Sequence, residues 1–252
     1  MTRKEAIVAR RSVRNYTGEP MKEELIDEIQ DFIGTIRPLD WDIRTTIEIL
    51  DSEDFDQMFK GIMVPRASHY LVIRSATKEG YLENAGFIGQ QIVLFMTQKE
   101  IGTCWCGGYM PRNDNTAGDL PYVVTICFGR SDNSPPRRSA EEAKRKHLHE
   151  IVFGKITTEL LDYLEAGRLA PSAMNWQPVR YKTQGTNIYV YRKKPLFSIA
   201  KIEESQCIDV GTAMANIYVA ANEKCDIVRE KNYPTPSGNC VYEYTITLRK
   251  DD

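Results

Sequence analysis

ELID at residues 24–27 and ELLD at residues 159–162 decide the fold of this chain of 252 residues. Each tetrapeptide lies in a segment whose apolar residues recur at helical spacing, and each is followed by a tryptophan, Trp41 or Trp176. The tetrapeptides and the tryptophans both stand 135 positions apart. This period is too long for a solenoid of short repeats. The sequence therefore predicts two copies of one larger unit.

The two copies carry different polar segments. The basic segment Arg10–Arg14 (RRSVR) precedes the helix of the first copy only, and the loop Ala170–Pro178 (APSAMNWQP) follows the helix of the second copy only. The equivalent loop of the first copy, Ile36–Trp41 (IRPLDW), lacks serine and asparagine. We place the equivalent of the basic segment near His149–Phe153 (HEIVF), which lacks arginine. Because each copy carries only one of these two segments, the sequence predicts one composite site between the two copies.

Hydrophobic patterns predict similar helices and strands in both copies. The predicted helices are 3–9, Met21–Ile33, Gly80–Glu100, Thr158–Leu169 and Cys207–Lys224, and the predicted strands are Arg44–Leu50, His69–Ser75, Tyr122–Phe128, Asn187–Arg192 and Tyr242–Leu248. Residues 51–60 and Asp114–Asp119 are predicted as loops, and Glu141–His149 as a solvated helix or an extended connector. The long helices align with Gly86 at the position of Gly211. We predict an α+β fold of two pseudo-symmetric repeats, 1–140 and 141–252, packed intimately face to face.

Composition limits the classes of partner. A net charge of −2 and a pI of about 6.0 give no global field that would recruit nucleic acid or an anionic membrane. No apolar run approaches the roughly 20 residues that span a bilayer, and the first residues do not resemble a signal peptide, so we expect a cytoplasmic protein. The six cysteines are scattered and are expected to be reduced. Cys104-Trp105-Cys106 is too closely spaced for a zinc knuckle, so no metal site is expected.

The two polar segments each admit a functional and a structural interpretation. Guanidinium groups and a serine hydroxyl in Arg10–Arg14 suit a phosphate monoester, although such a segment is also typical of a solvated surface. Prolines fix the shape of Ala170–Pro178, whose polar side chains could face a heteroaromatic ligand or could simply cap a turn. The sequence contains no Gly-x-Gly-x-x-Gly, no Gly-Lys-Ser/Thr phosphate loop and no Gly-x-Ser-x-Gly elbow.

Taken in order, RRSVRNY at residues 10–16, GTCW at residues 102–105 and the loop Ala170–Pro178 resemble the FMN-dependent nitroreductase superfamily. Usual members of that superfamily are homodimers that bind FMN at the interface, with the two motifs close together in each subunit. In this chain the motifs lie in different repeats. It therefore resembles the subgroup in which a tandem duplication lets one chain imitate the homodimer, as an intramolecular pseudo-dimer with a nitroreductase-like fold. The resemblance implies one flavin site in each chain.

The resemblance also implies which residues bind the cofactor. Arg10, Ser12 and Arg14 would hold the FMN phosphate and ribityl chain, and Arg11 belongs to the same motif, although adjacent residues need not face one ligand. The other copy would line the ring with Pro171, Ser172 and Asn175, while Gln177 would support the loop. Arg137 or Arg138 stands where members of the superfamily place a further phosphate contact, and Arg138 is included in the predicted site.

The function that the resemblance implies is an FMN-dependent NAD(P)H oxidoreductase. NADH or NADPH would reduce the flavin, and a nitroaromatic, a quinone or a similar small molecule would then take the electrons in a ping-pong reaction. The flavin carries this chemistry, so no catalytic side chain is assigned. The alternatives are a flavin-binding or flavin-sequestering protein without turnover, and a structural protein without flavin. A monomer and a homodimer both stay open.

Overall fold

The computed structural model describes residues 1–62, 64–112, 120–195, 199–231, 233 and 239–249. Its α-helices are α1 Arg3–Ala9, α2 Glu23–Thr35, α3 Ser52–Met58, α4 Tyr81–Gln98, α5 Leu148–Ile151, α6 Thr158–Arg168 and α7 Ala200–Ala220. Its strands are β1 Thr45–Asp51, β2 Phe59–Gly61, β3 His69–Ser75, β4 Gly102–Cys106, β5 Tyr109–Pro111, β6 Tyr122–Gly129, β7 Val152–Phe153, β8 Val179–Gln184, β9 Asn187–Lys193, β10 Cys225–Val228 and β11 Cys240–Leu248. Short 3₁₀ turns cover Ala140–Glu142 and Ala173–Asn175.

Two larger sheets of matching topology form most of the β part of the fold, and β2 and β5 form a separate antiparallel pair. The first has the strand order β1-β3-β6-β4, and the second has the order β10-β11-β9-β8-β7. Neighbours are antiparallel in both, except that β7 runs parallel to β8. We call the elements α1 to β6 the first copy and the elements α5 to β11 the second copy. The paired architecture confirms the predicted α+β pseudo-dimer, and α2 and α6 begin at positions separated by the predicted period.

The long helices α4 and α7 pack against each other at the centre of the molecule. A Cβ atom on Gly86 would lie 2.2 Å from the carbonyl oxygen of Ile208, and one on Gly211 would lie 2.1 Å from the carbonyl oxygen of Glu83. The two glycines predicted to be equivalent therefore occupy equivalent places, because each lets the backbone of the other helix approach. The side chain of Gln90 adds a buried hydrogen bond of 2.9 Å to Oδ1 of Asn216 across this contact.

Helix α1 ties the first copy to the second. A capping box starts this helix, since the amide of Glu5 donates to Oγ1 of Thr2 and the amide of Thr2 donates to the Glu5 carboxylate. Its residues Ala6 and Ile7 are buried in the hydrophobic core built mainly from α6, α7 and the second sheet. The first sheet has its own core, in which α2 and α4 cover one face. The two copies are therefore interlocked.

Several predicted boundaries and loops differ from the structure. Helix α7 begins at Ala200, seven residues before the predicted start, and β8 and β10 were not predicted. The predicted loop at 51–60 contains α3, which Asp51 caps through its side chain and which buries Phe55 completely. The predicted loop Asp114–Asp119 lies outside the described residues. In the part of the chain that is described, no helix is long and apolar enough to cross a membrane.

Candidate functional site

The basic segment follows α1 in an extended conformation beside the first sheet. The amide of Val13 donates to the carbonyl oxygen of Thr103 in β4 at 2.8 Å, and Ser12 forms a parallel bridge with the same residue. On its other side, the amide of Arg137 donates to the carbonyl oxygen of Ala9 at 2.9 Å. The segment is thus held between β4 and the chain that links the copies, which fixes where its side chains project.

Arg10 is a buried cation without a complete set of partners. Its side chain is 3% exposed, and its Nε has no hydrogen-bond partner among the described residues. Burial, followed by the positive charges of Arg137 and Arg145, lowers the pKa of Arg10 to about 9. Arg137 likewise has a buried Nη1 without a described partner, and burial lowers its pKa. Since unpaired buried charge is costly, several converging guanidinium groups favour the binding of an anion here.

Arg145 joins this cluster of arginines to the loop of the second copy. Its Nη1 donates to Oδ1 of Asn175 at 2.6 Å, and its Nε donates to the carbonyl oxygen of Ala170 at 3.0 Å. Burial, then the charges of Arg137 and Arg168, lowers the pKa of Arg145 to about 10. The sequence interpretation placed Arg145 in a solvated connector and missed it. Basic character near a predicted linker was the available signal, but only the fold brings this residue to the loop.

The loop Ala170–Pro178 is held in one shape by its own polar side chains. The amide of Gln177 donates to Oγ of Ser172 at 3.0 Å, and Oε1 of Gln177 accepts from the amide of Lys146 at 2.7 Å. Nδ2 of Asn175 donates to the carbonyl oxygen of Lys144 at 3.0 Å. Asn175 and Gln177 have φ values of 57° and 51°, in the left-handed region. The side chains of Ser172, Asn175 and Gln177 therefore all take part in hydrogen bonds that hold the loop.

Asp209 anchors the loop from α7. Its Oδ1 accepts from the amide of Ala173 at 2.9 Å, while its Oδ2 is buried without a described partner. Burial raises the pKa of Asp209 to about 8, against opposing effects of the Ala173 hydrogen bond and of Arg145. Asp209 also lines a small, partly open cleft beneath the loop, together with Arg168, Pro171, Ser172 and Gln177. Sequence reasoning missed this carboxyl group.

Replacing Asp209 by asparagine should change how stability depends on pH. The native state holds a proton on Asp209 that the unfolded chain loses, so this group costs the native state stability as pH rises from about 4 to about 8. An asparagine keeps the oxygen that accepts from Ala173. We expect Asp209→Asn to match the parent near pH 4 and to be more stable by on the order of 5 kcal/mol near pH 9. Urea unfolding across this pH range measures the difference, and a constant difference would contradict the assignment.

The first copy shows what an asparagine does at this position. Asn84 of α4 accepts from the amides of Leu39 and Asp40 through Oδ1, at 2.8 and 3.3 Å, as Asp209 accepts from Ala173. The loop of the first copy is therefore held by the same kind of contact, although it lacks the serine and asparagine of the other loop. This likeness supports the choice of asparagine in the substitution.

His149–Phe153, the predicted equivalent of the basic segment, does not occupy an equivalent position in the second sheet. Val152 and Phe153 form β7, which pairs with β8 at one edge of the second sheet. Ser12 instead bridges to β4, at the opposite edge of the first sheet's strand order. The assignment of His149–Phe153 as the counterpart of Arg10–Arg14 is therefore wrong, because similar spacing along the chain did not lead to the same position in the sheet.

The other predicted residues divide between the cluster and the surface. Arg14 is exposed but lies close enough to Arg10 to contribute to its lowered pKa, and Ser12 is half-buried. Arg11 is exposed and donates from Nη1 to the carbonyl oxygen of Pro135 at 3.0 Å. Arg138 is exposed as well, and its backbone amide donates to Glu142. The structure places Arg137 rather than Arg138 against Arg10.

The fold and the site together define a class: a single polypeptide that supplies both halves of a dimer-like α+β fold, with a cluster of arginines where the halves meet. A sequence model of the family described as "Putative TM nitroreductase" matches residues 2–221. The chain belongs to this nitroreductase family. Among proteins of curated function, none matches the sequence.

Solved structures share the fold of this chain. A "putative nitroreductase" from Thermotoga maritima is 24% identical in sequence, and the match covers 98% of this chain and 94% of that chain with a TM-score of 0.70. A nitroreductase family protein from Clostridium difficile is 16% identical, and its full length matches only 62% of this chain with a TM-score of 0.50. A shorter nitroreductase therefore corresponds to part of this chain, as expected for a pseudo-dimer.

Proposed function

We propose that this protein is an FMN-dependent NAD(P)H oxidoreductase with one flavin site in each chain. The observation that carries the proposal is the pair of buried, unpartnered guanidinium atoms, Nε of Arg10 and Nη1 of Arg137. They lie in a cluster that Arg145 connects directly to the loop of the other copy. Membership of the nitroreductase family supports an oxidoreductase, and the cluster supports a cofactor that carries a phosphate.

The residues present fit FMN at its phosphate end. Arg10 and Arg137 would donate to the phosphate oxygens, and Ser12 and Arg14 would contact the same group or the ribityl chain. A dianionic phosphate among several arginines would relieve the mutual repulsion that lowers the pKa of Arg10. Arg11 and Arg138 are left outside this set because both are exposed.

The loop of the second copy would shape the ring side of the site. Its serine, asparagine and glutamine are already bonded within or beside the loop, so their main contribution would be to fix a rigid wall. Pro171 is buried and would give this wall an apolar surface. Asp209, held neutral below about pH 8 by burial, would add no negative charge beneath the loop.

Bound FMN would supply the redox chemistry, accepting a hydride from NADH or NADPH and passing electrons to a nitroaromatic, a quinone or a similar acceptor. The chain would bind and orient the flavin and exclude water from one of its faces. Since the arginine cluster and the bonded loop occur at one junction of the two copies, a single chain would be active without a second subunit. Residues 1–140 and 141–252 would form the two lobes of this unit.

An absorbance titration tests the proposal. We expect the purified protein to bind one FMN per chain, with a shift of the flavin absorbance band, and the band to bleach when NADH or NADPH is added without oxygen. Subsequent addition of a quinone should restore the oxidised spectrum. Failure to bind FMN would refute the proposal. Binding without bleaching by either nucleotide would instead identify a flavin-binding protein without turnover.

A further inference from the structure

Three cysteine thiols converge beneath the basic segment. Cys104 and Cys106 lie on one face of β4, and the register of the sheet places Cys104 directly opposite Cys127 of β6. The three sulfur atoms all lie within 4.8 Å of one another, and those of Cys106 and Cys127 are 3.2 Å apart. The sequence interpretation considered only Cys104 and Cys106 and expected no metal site. It could not include Cys127, which a different strand contributes.

The cluster lies in a dry, aromatic part of the first copy. The three cysteines are between 0% and 5% exposed. Phe55, Tyr70 and Tyr109 belong to the same core cluster. Cys104, Cys106 and Cys127 are free thiols, so no disulfide occupies these sulfurs. A buried group made only of thiols offers the soft, all-sulfur environment that thiophilic cations prefer.

The guanidinium groups of Arg10 and Arg14 lie near enough to Cys104 to act on it electrostatically. Three thiolates around a monovalent cation carry a net charge of about −2, which two neighbouring guanidinium groups would balance. Binding would release the three thiol protons to solvent, and no change of oxidation state is required.

We propose that Cys104, Cys106 and Cys127 form a three-coordinate site for a soft cation, copper(I). Sulfur ligands at about 2.3 Å from a metal in a trigonal plane are separated by about 4 Å. The sulfurs of Cys106 and Cys127 are 3.2 Å apart and all three sulfurs lie within 4.8 Å of one another, so small side-chain adjustments would complete the site. The proposal stands on these thiols and does not depend on flavin binding.

Anaerobic titration of the reduced full-length protein with copper(I), in competition with a chromogenic copper(I) chelator, tests the site. We expect the parent protein to withdraw one equivalent of copper per chain, and its copper X-ray absorption spectrum to show three sulfur neighbours. Cys106→Ala should bind copper at least about 100-fold more weakly. Cys225→Ala is the matched control, because Cys225 is another buried thiol and lies outside the cluster. This control should keep the affinity of the parent.

The result can contradict the proposal in two independent ways. If the parent protein leaves copper with the chelator, or holds it with fewer than three sulfur neighbours, the site does not exist as proposed. This measurement needs no variant, so it stands even if Cys106→Ala fails to fold. If Cys106→Ala folds, as judged by circular dichroism, and binds copper as tightly as the parent, the assignment of the ligands is wrong.

Discussion

Replacing Arg10 by methionine is expected to weaken the binding of FMN by about 100-fold while leaving the FMN-free protein at least as stable as the parent. The substitution would remove one or two charge-assisted hydrogen bonds to the phosphate, each worth about 1.5–3 kcal/mol. Without ligand, however, Arg10 is a buried cation beside Arg137 and Arg145, with an unpartnered Nε. Methionine fills much of the same space and removes that repulsion.

The opposite effects expected on FMN affinity and on stability distinguish a role of Arg10 in binding from a structural role. FMN affinity is measured by absorbance titration, and the stability of the FMN-free protein by urea unfolding. Arg130→Met is the matched control, since Arg130 is an exposed arginine paired with Glu19. It should change the affinity by no more than about two-fold, because exposed ion pairs contribute little. If Arg10→Met destabilises the free protein and leaves FMN affinity unchanged, Arg10 has a structural role instead.

Replacing Gly211 by alanine is expected to prevent stable folding or to lower the free energy of unfolding by about 4 kcal/mol or more. The added Cβ would lie 2.1 Å from the carbonyl oxygen of Glu83 and 2.7 Å from the amide nitrogen of Phe87. Both are backbone atoms in the N-terminal half of α4, so they cannot move aside as a flexible side chain could. The two central helices would have to separate, and buried side chains along both would lose their contacts.

Gly34→Ala is the matched control for this substitution. Gly34 also lies in a helix, α2, but a Cβ there would meet nothing within 4 Å. Alanine should therefore stabilise the protein by up to about 1 kcal/mol through its higher helix propensity. Urea unfolding of both variants gives the comparison. Should Gly211→Ala unfold within about 1 kcal/mol of the parent, the close contact of α4 with α7 would be contradicted.

The duplication could be predicted from the sequence because it rests on local patterns. Helical periodicity located α1, α2, α4 and α6 closely, and the spacing of repeated residues related the copies. The start of α7 was placed too late because its first turns are polar and partly exposed, so they lack an apolar stripe. Short strands such as β10 carry too few residues for a clear alternation.

The site was predictable only as motifs. The basic segment and the loop were found by residue type, but neither motif shows which of two neighbouring arginines, Arg137 or Arg138, turns inward. Arg145 and Asp209 were missed because their roles depend on contacts between distant parts of the chain. One signal for Asp209 was present: Asn84 precedes Gly86 by the same interval as Asp209 precedes Gly211. The alignment of the polar residues Asn84 and Asp209 in two buried helices indicates that they have the same role, which is to accept a hydrogen bond from a loop amide.

The burial of α1 in the core of the second copy has a consequence for protein synthesis. This helix leaves the ribosome before α6 and α7, yet Ala6 and Ile7 pack in a core that those later helices build. The first copy therefore cannot finish folding when its own last strand is complete. The apolar residues of α1 must therefore stay exposed until the later part of the polypeptide has been synthesised, so the final packing of the first copy waits for the second.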